Sequence, residues 1–406
     1  MNRINPLKKD WFYLISILVF IMLEPYTYIS MYKINTSISL LIISFILVAG
    51  YMVKYITSKK VIMISVEKLL FMLLLVILLL LNKLLTNDNS AFYFILVITI
   101  GLAYFATELF DFIKFKSAYS MVISFLCLFS IIVTYTVLFF PNLFIGWLPS
   151  IYHGPNSMRF LDAGLNFVYL PEYGVQYRNY SIFREPGVFQ FYIIIALIFE
   201  LWINDGPPKK SRIFLYCITL VSTFSTVGLI TGIIVLFSYL ISDMKNSNNK
   251  VKWLIGVFVF FIAFTLGYFK IPFVQEGLND SFGKLSGGGG SMASRSGSLI
   301  SYFNAWYNKP FIGWGYTRGV YEAGELYLKK YTEDNTNTIF TNLAFFGLAY
   351  GATYQYLLIK FVSLSKKDLV VKLIIFIVLM LTINSQRFIE SMIIFMLLFY
   401  SISKKN

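Results

Sequence analysis

Twelve apolar stretches recur along the chain, most of them long enough to cross or nearly cross a bilayer, and no other feature constrains the fold as strongly. They run over roughly 11–29, 36–53, 61–84, 91–109, 117–140, 183–203, 213–225, 227–243, 252–269, 338–362, 369–384 and 389–403. A helix needs about 20 apolar residues to cross the hydrocarbon layer, so twelve helices take about 240 residues. That matches a chain of 406 residues that is 58% hydrophobic. Charged residues make up only 13%, about half the share in soluble proteins. The expected fold is an all-α polytopic membrane protein of about 12 transmembrane helices, with 1–406 as a single integral membrane domain.

The scarce charge is patterned. With a cytoplasmic N-terminus, alternate short loops hold Arg3, Lys8 and Lys9; Lys54, Lys59 and Lys60; Lys114 and Lys116; Lys209, Lys210 and Arg212; Lys245, Lys250 and Lys252; Lys366 and Lys367; and Lys404 and Lys405. Those are 18 of the 34 basic residues, so the positive-inside rule sets both termini in the cytoplasm. The net charge of +14 points to membrane lipids as partners, and no nucleic-acid partner is expected. Two long loops fall on the outer side, 141–182 and 270–337. Their Tyr, Trp, Gly and Pro content predicts folded caps over the membrane face, with Gly287-Gly288-Gly289-Gly290 as a hinge. No cleavage site follows the first apolar stretch, so no cleavable leader is expected.

Several chemistries are excluded. One histidine, His153, rules out multi-histidine zinc sites. Cys127 and Cys217 lie in apolar runs and form no CxxC pair. No glycine-rich Walker loop is present, which argues against ATP hydrolysis.

The sharpest motif is Ser181-Ile182-Phe183-Arg184-Glu185-Pro186-Gly187-Val188-Phe189, where the first long loop meets a span. Proline is favoured at the first helical position, because its missing N–H would lack a partner there anyway. Glu185 then caps the helix and Arg184 stands just outside it. The positive end of such a helix suits an anion, and a guanidinium beside it adds a planar fork for phosphate. Simple pairing of Arg184 with Glu185 is the plainer reading.

Further along, Arg295 precedes Leu299, Tyr302, Phe303 and Trp306, whose spacing predicts an amphipathic helix starting at Arg295. Its aromatics suit either sugar stacking or anchoring at the bilayer interface. Asp334 and Asn337 lie where the second loop returns to the membrane. Asp334 is either a proton acceptor or part of a solvated run with a helix cap. In the last outer turn, Arg387 and Glu390 are either a structural pair or part of a site. Arg159, Arg178 and Arg318 are loop arginines able to contact an anionic substrate. His153 sits in a turn-like context and reads as a loop residue. The small hydroxyl residues from Ser222 to Thr226 read as helix caps or close-packing positions, with a polar cavity lining as the alternative.

The Arg184-Glu185-Pro186-Gly187 segment, with Phe183 before it and an aromatic-rich span after it, resembles Wzy-type polysaccharide polymerases. Arg295, the helix with Trp306, and Lys309-Pro310-Phe311-Ile312-Gly313-Trp314-Gly315 resemble the core shared by O-antigen polymerases and O-antigen ligases. That core has an arginine, an aromatic helix and Pro-x-x-Gly-x-Gly. Ligases carry a His-Asn pair eleven residues before a glycine; here Thr336-Asn337 precede Gly347, so only the asparagine matches. Ligases also tend to have an arginine where this chain has Ser225-Thr226. Both departures favour a polymerase.

The resemblance implies a glycosyltransferase-C-like fold in the cytoplasmic (inner) membrane, serving lipopolysaccharide or capsule synthesis. A glycan would pass from undecaprenyl pyrophosphate to a sugar hydroxyl of another lipid-linked repeat, on the outer face. It calls for no nucleotide sugar and no cofactor, and a chain-length regulator is a further candidate partner. Pyrophosphate is a good leaving group, so positive charge has to stabilise it. Arg184 and Arg295 are the expected clamp, no metal is required, and Glu185, Asp334 and Glu390 are base candidates in that order. Arg159, Arg178, Tyr302, Trp306, Arg318, Asp334, Asn337, Arg387 and Glu390 are expected to line the substrate. Direct attack inverts the anomeric centre. A ligase-like transferase and a lipid-linked glycan transporter are the alternatives.

Overall fold

The computed structural model describes residues 6–58, 64–153, 158–170, 178–204, 206–246, 290–327 and 337–402. It is mostly helical, with α1 (Pro6–Met22), α2 (Thr36–Ser58), α3 (Val66–Thr86), α4 (Phe92–Leu109), α5 (Phe112–Phe139), α6 (Pro141–Phe144) and α7 (Pro186–Ile198) in the first half. Then come α8 (Lys210–Thr223), α9 (Thr226–Asn246), α10 (Gly290–Asn308), α11 (Tyr316–Tyr327), α12 (Ile339–Val362), α13 (Leu369–Ile383) and α14 (Met392–Tyr400). Among these, Thr36–Ile56, Val66–Thr86, Phe92–Leu109, Phe112–Phe139 and Pro186–Ile203 are long and apolar enough to cross a membrane, and three further apolar helices are shorter. The expected span at 252–269 lies outside the described residues.

The surface of these helices is the reverse of a soluble protein's. Helix α2 exposes Leu41, Phe45, Val48, Met52 and Ile56, with Phe45 at 75%. These positions recur every three or four residues, so one whole stripe of the helix is apolar and outward-facing. A soluble helix turns such a stripe inward. This is the architecture of a helical membrane protein. Helix α7 is the opposite case: every residue from Pro186 to Ile198 is buried, as expected of a helix that is apolar all round.

The chain forms two units. The first comprises Met1–Val122, Ser294–Ser365 and Ile383–Asn406. In it α4 packs on α14, α2 and α3, and α12 packs on α14 and α3. At one end Lys68 meets Glu108 at 3.1 Å and donates to the Thr107 carbonyl, while Glu108 accepts the Ser65 N–H. At the other end Glu24, buried just past α1, accepts the Ile393 N–H (2.8 Å) and the Ser391 hydroxyl. A carboxylate from the first turn thus satisfies otherwise orphaned donors at the start of α14.

The second unit comprises Ile123–Ala293 and Lys366–Thr382, with α7 packed on α8 and α9. It carries a three-stranded antiparallel sheet, β1 (Ser150–His153), β2 (Met158–Asp162) and β3 (Phe167–Leu170), in the order β1-β2-β3. Ser150 pairs with Leu161, and Arg159 with Leu170. The all-α expectation omitted this sheet. Its strands are four or five residues of aromatic and branched side chains, too short to show a period but well suited to a pleated surface. Leu161 and Val168 bury against Val137 of α5. Other boundaries also differ: α1 stops at Met22, a π-helical turn follows at Ile29–Lys33, and α14 covers only Met392–Tyr400.

Candidate functional site

In the first unit the Pro310–Gly315 turn is built onto α12. Helix α12 breaks at Gly347 (φ 78°), which leaves the Ala344 and Phe345 carbonyls without helical partners. The Trp314 N–H bonds the Ala344 carbonyl and the Gly315 N–H bonds that of Phe345, both at 2.9 Å, while the Leu348 N–H returns to the Pro310 carbonyl at 2.8 Å. Asn82 of α3 donates its amide to the Ile312 and Phe345 carbonyls. A Cβ at Gly313 (φ 76°) would sit 2.5 Å from the Phe345 oxygen, and one at Gly347 would strike the Phe311 carbonyl. The two glycines therefore let two backbones touch in a conformation that other residues strain to adopt.

This crossing seats Tyr316 at the start of α11, where Asp88 receives both the N–H and the hydroxyl of Thr317 (2.8 and 2.9 Å). The Tyr316 ring stacks on Phe92 at 4.0 Å. Arg387 lies over both rings, its guanidinium carbon 5.5 Å from the Tyr316 centroid and 5.9 Å from that of Phe92. Glu390 is 3.7 Å from Arg387, and its N–H donates to the Tyr26 hydroxyl. Burial disfavours the charge on Arg387, but the Tyr316 hydroxyl and Glu390 outweigh it and raise its proton affinity above the ordinary value.

The turn holding Arg387 is fixed by the start of α12. The Thr338 hydroxyl bonds the Gln386 carbonyl (2.7 Å) and accepts the Phe388 N–H (2.8 Å), and Asn384 accepts the Ile339 N–H. Asn337 accepts the Phe340 N–H, so its side chain caps α12. Five residues further, Asn342 is 2% exposed, and both its amide atoms lack hydrogen-bond partners among the described residues.

Helix α10 starts at Gly290, not at Arg295, because Met292 and Ala293 continue a helix readily. Arg295 thus stands beyond the first turn, where the helix-end charge fades; its side chain lies outside the described residues, as does Asp334. Tyr302 is buried against Phe345, and the Trp306 indole donates to the Pro310 carbonyl (3.1 Å). The face of α10 turned inward is Ser298, Ser301, Tyr302 and Ala305, while Leu299, Ile300 and Phe303 are exposed. The apolar positions at 299 and 303 therefore face out, and small residues make the close approach. Arg318 is 66% exposed, pairs with Glu322 at 3.1 Å and covers the Trp314 ring.

In the second unit, Glu185 caps α7 with Pro186 in its first turn, as the sequence predicts, and Arg184 lies 3.9 Å from Glu185. The Phe183 ring stacks on Tyr192 at 4.5 Å, fixing the approach to the helix. Arg178 donates to the Thr223 and Phe224 carbonyls, finishing the C-terminus of α8, and Asn179 bonds Ser130 and Ser222. Arg159 donates to Ser150 across β1 and β2.

The structure therefore gathers Arg387, Glu390 and the capping Asn337 in the first unit, and Arg184 and Glu185 in the second. Tyr316, Phe92 and Asn342 are residues that sequence reasoning missed. Asn342 carried the one available signal, an amide inside an apolar stretch. Among the described residues no cluster of His, Cys, Asp or Glu is fit to hold a metal. No family model, curated protein or solved structure matches the chain.

Proposed function

We propose that the protein polymerises lipid-linked oligosaccharide repeats at the outer face of the cytoplasmic membrane, within a bundle of about twelve spans. The observation that carries this reading is the cluster in the first unit where Arg387 lies on the Phe92–Tyr316 pair, 3.7 Å from Glu390. A guanidinium seated on aromatic rings keeps its charge and its planar fork, which suits a pyrophosphate leaving group. A carboxylate beside it suits a sugar hydroxyl that must lose its proton. In this reading Arg387 stabilises the departing phosphates, and Glu390 takes precedence as the base. The hydroxyl attacks the anomeric carbon, the bond to the pyrophosphate oxygen breaks, and the proton passes to the carboxylate.

Two further observations support the reading. Turns assigned to the outer side bond to one another in the first unit, Asp88 with Thr317 and Glu390 with Tyr26. Gly313, from the core shared by polymerases and ligases, and Gly347, the glycine that follows Asn337, meet at one backbone crossing.

The test uses lipid-linked repeats extracted from cells in which the gene is deleted, mixed with purified protein without ATP or nucleotide sugars. A ladder of products is expected. A single transfer to a different acceptor would instead identify a ligase, and absence of any glycan growth rules out both.

A further inference from the structure

Apart from the Arg387 cluster, the first unit carries a second arrangement of cations, which includes Arg318, a residue expected from the sequence to line the substrate. Trp314 is held rigidly: its indole N–H donates to the Ala305 carbonyl at 2.7 Å, and its backbone N–H is tied to α12. Two cations share that ring, Lys309 with Nζ 5.2 Å from the centroid and Arg318 with its guanidinium carbon at 4.7 Å. Arg318 spends only its Nε on Glu322, at 3.1 Å. Lys309 has no carboxylate partner among the described residues. Burial and the neighbouring charge of Arg318 both lower its affinity for its proton. Among the described residues one carboxylate thus faces two cations, which leaves a net positive charge and unspent N–H donors on one aromatic platform.

The surroundings say what kind of anion fits. Phe311 (75%), Tyr307 (71%) and Tyr321 (60%) are exposed beside the cations, with Ile312 and Val320 among them. Basic groups flanked along the chain by exposed aromatic and aliphatic side chains match a bilayer surface, where apolar groups enter the acyl layer and cations meet phosphates.

We infer that Lys309, Trp314 and Arg318 form a binding site for the phosphodiester headgroup of an anionic membrane phospholipid, anchoring the Pro310–Gly315 turn to the membrane surface. The test of this site reads lipid contact alone and does not depend on glycan transfer.

The full-length protein is reconstituted in phosphatidylcholine nanodiscs containing phosphatidylglycerol brominated near its headgroup, or brominated phosphatidylcholine at the same fraction. Quenching of the Trp314 signal is obtained as wild type minus W314F. Brominated phosphatidylglycerol should quench more deeply than phosphatidylcholine, and K309Q/R318Q should weaken that preference by roughly tenfold. K309R, which keeps the charge, should retain it. Equal preference for the two lipids, an unchanged preference in the double glutamine variant, or loss in K309R overturns the inference. Inorganic phosphate, compared with chloride at equal ionic strength, should leave the preference intact; its removal by phosphate shows a site for the free ion and equally overturns the lipid assignment.

Discussion

The charged pairs at the two ends of each unit differ in length and in burial. Lys68 and Glu108 lie 3.1 Å apart with side chains 8% and 5% exposed, and Arg212 and Glu200 lie 2.7 Å apart at 17% and 2%. At the opposite ends of α3 and α7 the pairs are looser. Arg387 and Glu390 are 3.7 Å apart at 24% and 19%, and Arg184 and Glu185 are 3.9 Å apart at 27% and 47%. A short, desolvated pair is committed to itself, since separating it would leave a bare buried charge. A longer pair leaves both charges nearer to solvent. Each unit therefore keeps a short, buried ion pair at one end and a longer, more exposed pair at the other.

The harshest way to break this comparison is to remove one partner of a short pair. Lys68→Ala or Arg212→Ala should cost about 3–5 kcal/mol, because each leaves a buried carboxylate uncompensated. Thermal unfolding in detergent measures this, and an unchanged midpoint would show that these pairs are not structural.

Removing a cation from a looser pair should do the reverse. Arg387→Ala or Arg184→Ala should lower glycan transfer by about 10²–10³, in the range of a lost transition-state donor. Stability should change by about 1 kcal/mol or less. Transfer within twofold of wild type would remove that arginine from the reaction.

The acidic partner sharpens the comparison through pH. Arg387 has a raised proton affinity, so it stays charged and contributes no titration near neutrality. An acidic limb in the pH–rate profile then belongs to a carboxylate. Glu390→Gln should abolish that limb and slow transfer by about a hundredfold; a limb that persists assigns the base elsewhere.

The smallest effect concerns Asn342. Replacing this buried amide with leucine should raise stability by about 1–2 kcal/mol, since unsatisfied polar atoms are costly to bury. Transfer activity should fall if the amide serves the substrate. A loss of both stability and activity would make Asn342 a packing residue.

Much of this was legible in the chain. The apolar stretches placed the helices because span length and composition are local properties, and Pro186 marked the start of α7 for the same reason. Glu185 takes the N-cap position expected of it, with extended backbone and no capping bond from its side chain. The β1–β3 sheet was not legible, since strands of four or five residues in a long loop carry no distinguishing period. Nor was the face of α10. Leu299 and Phe303 have helical spacing, but which stripe turns inward depends on what surrounds the helix, and lipid inverts the rule for water.

That the chain is a helical membrane protein follows from its residues alone, because apolarity over span length needs no partner to be read. The sequence also holds Gly313, Gly347, Arg387 and Glu390, without saying which of them meet. Only the tertiary structure decided that Gly313 crosses Gly347, that Arg387 lies on Phe92 and Tyr316, and that Glu24 reaches the start of α14. Those contacts join residues tens to hundreds of positions apart. They rest on complementary shapes and on hydrogen bonds that exist only after the helices have packed.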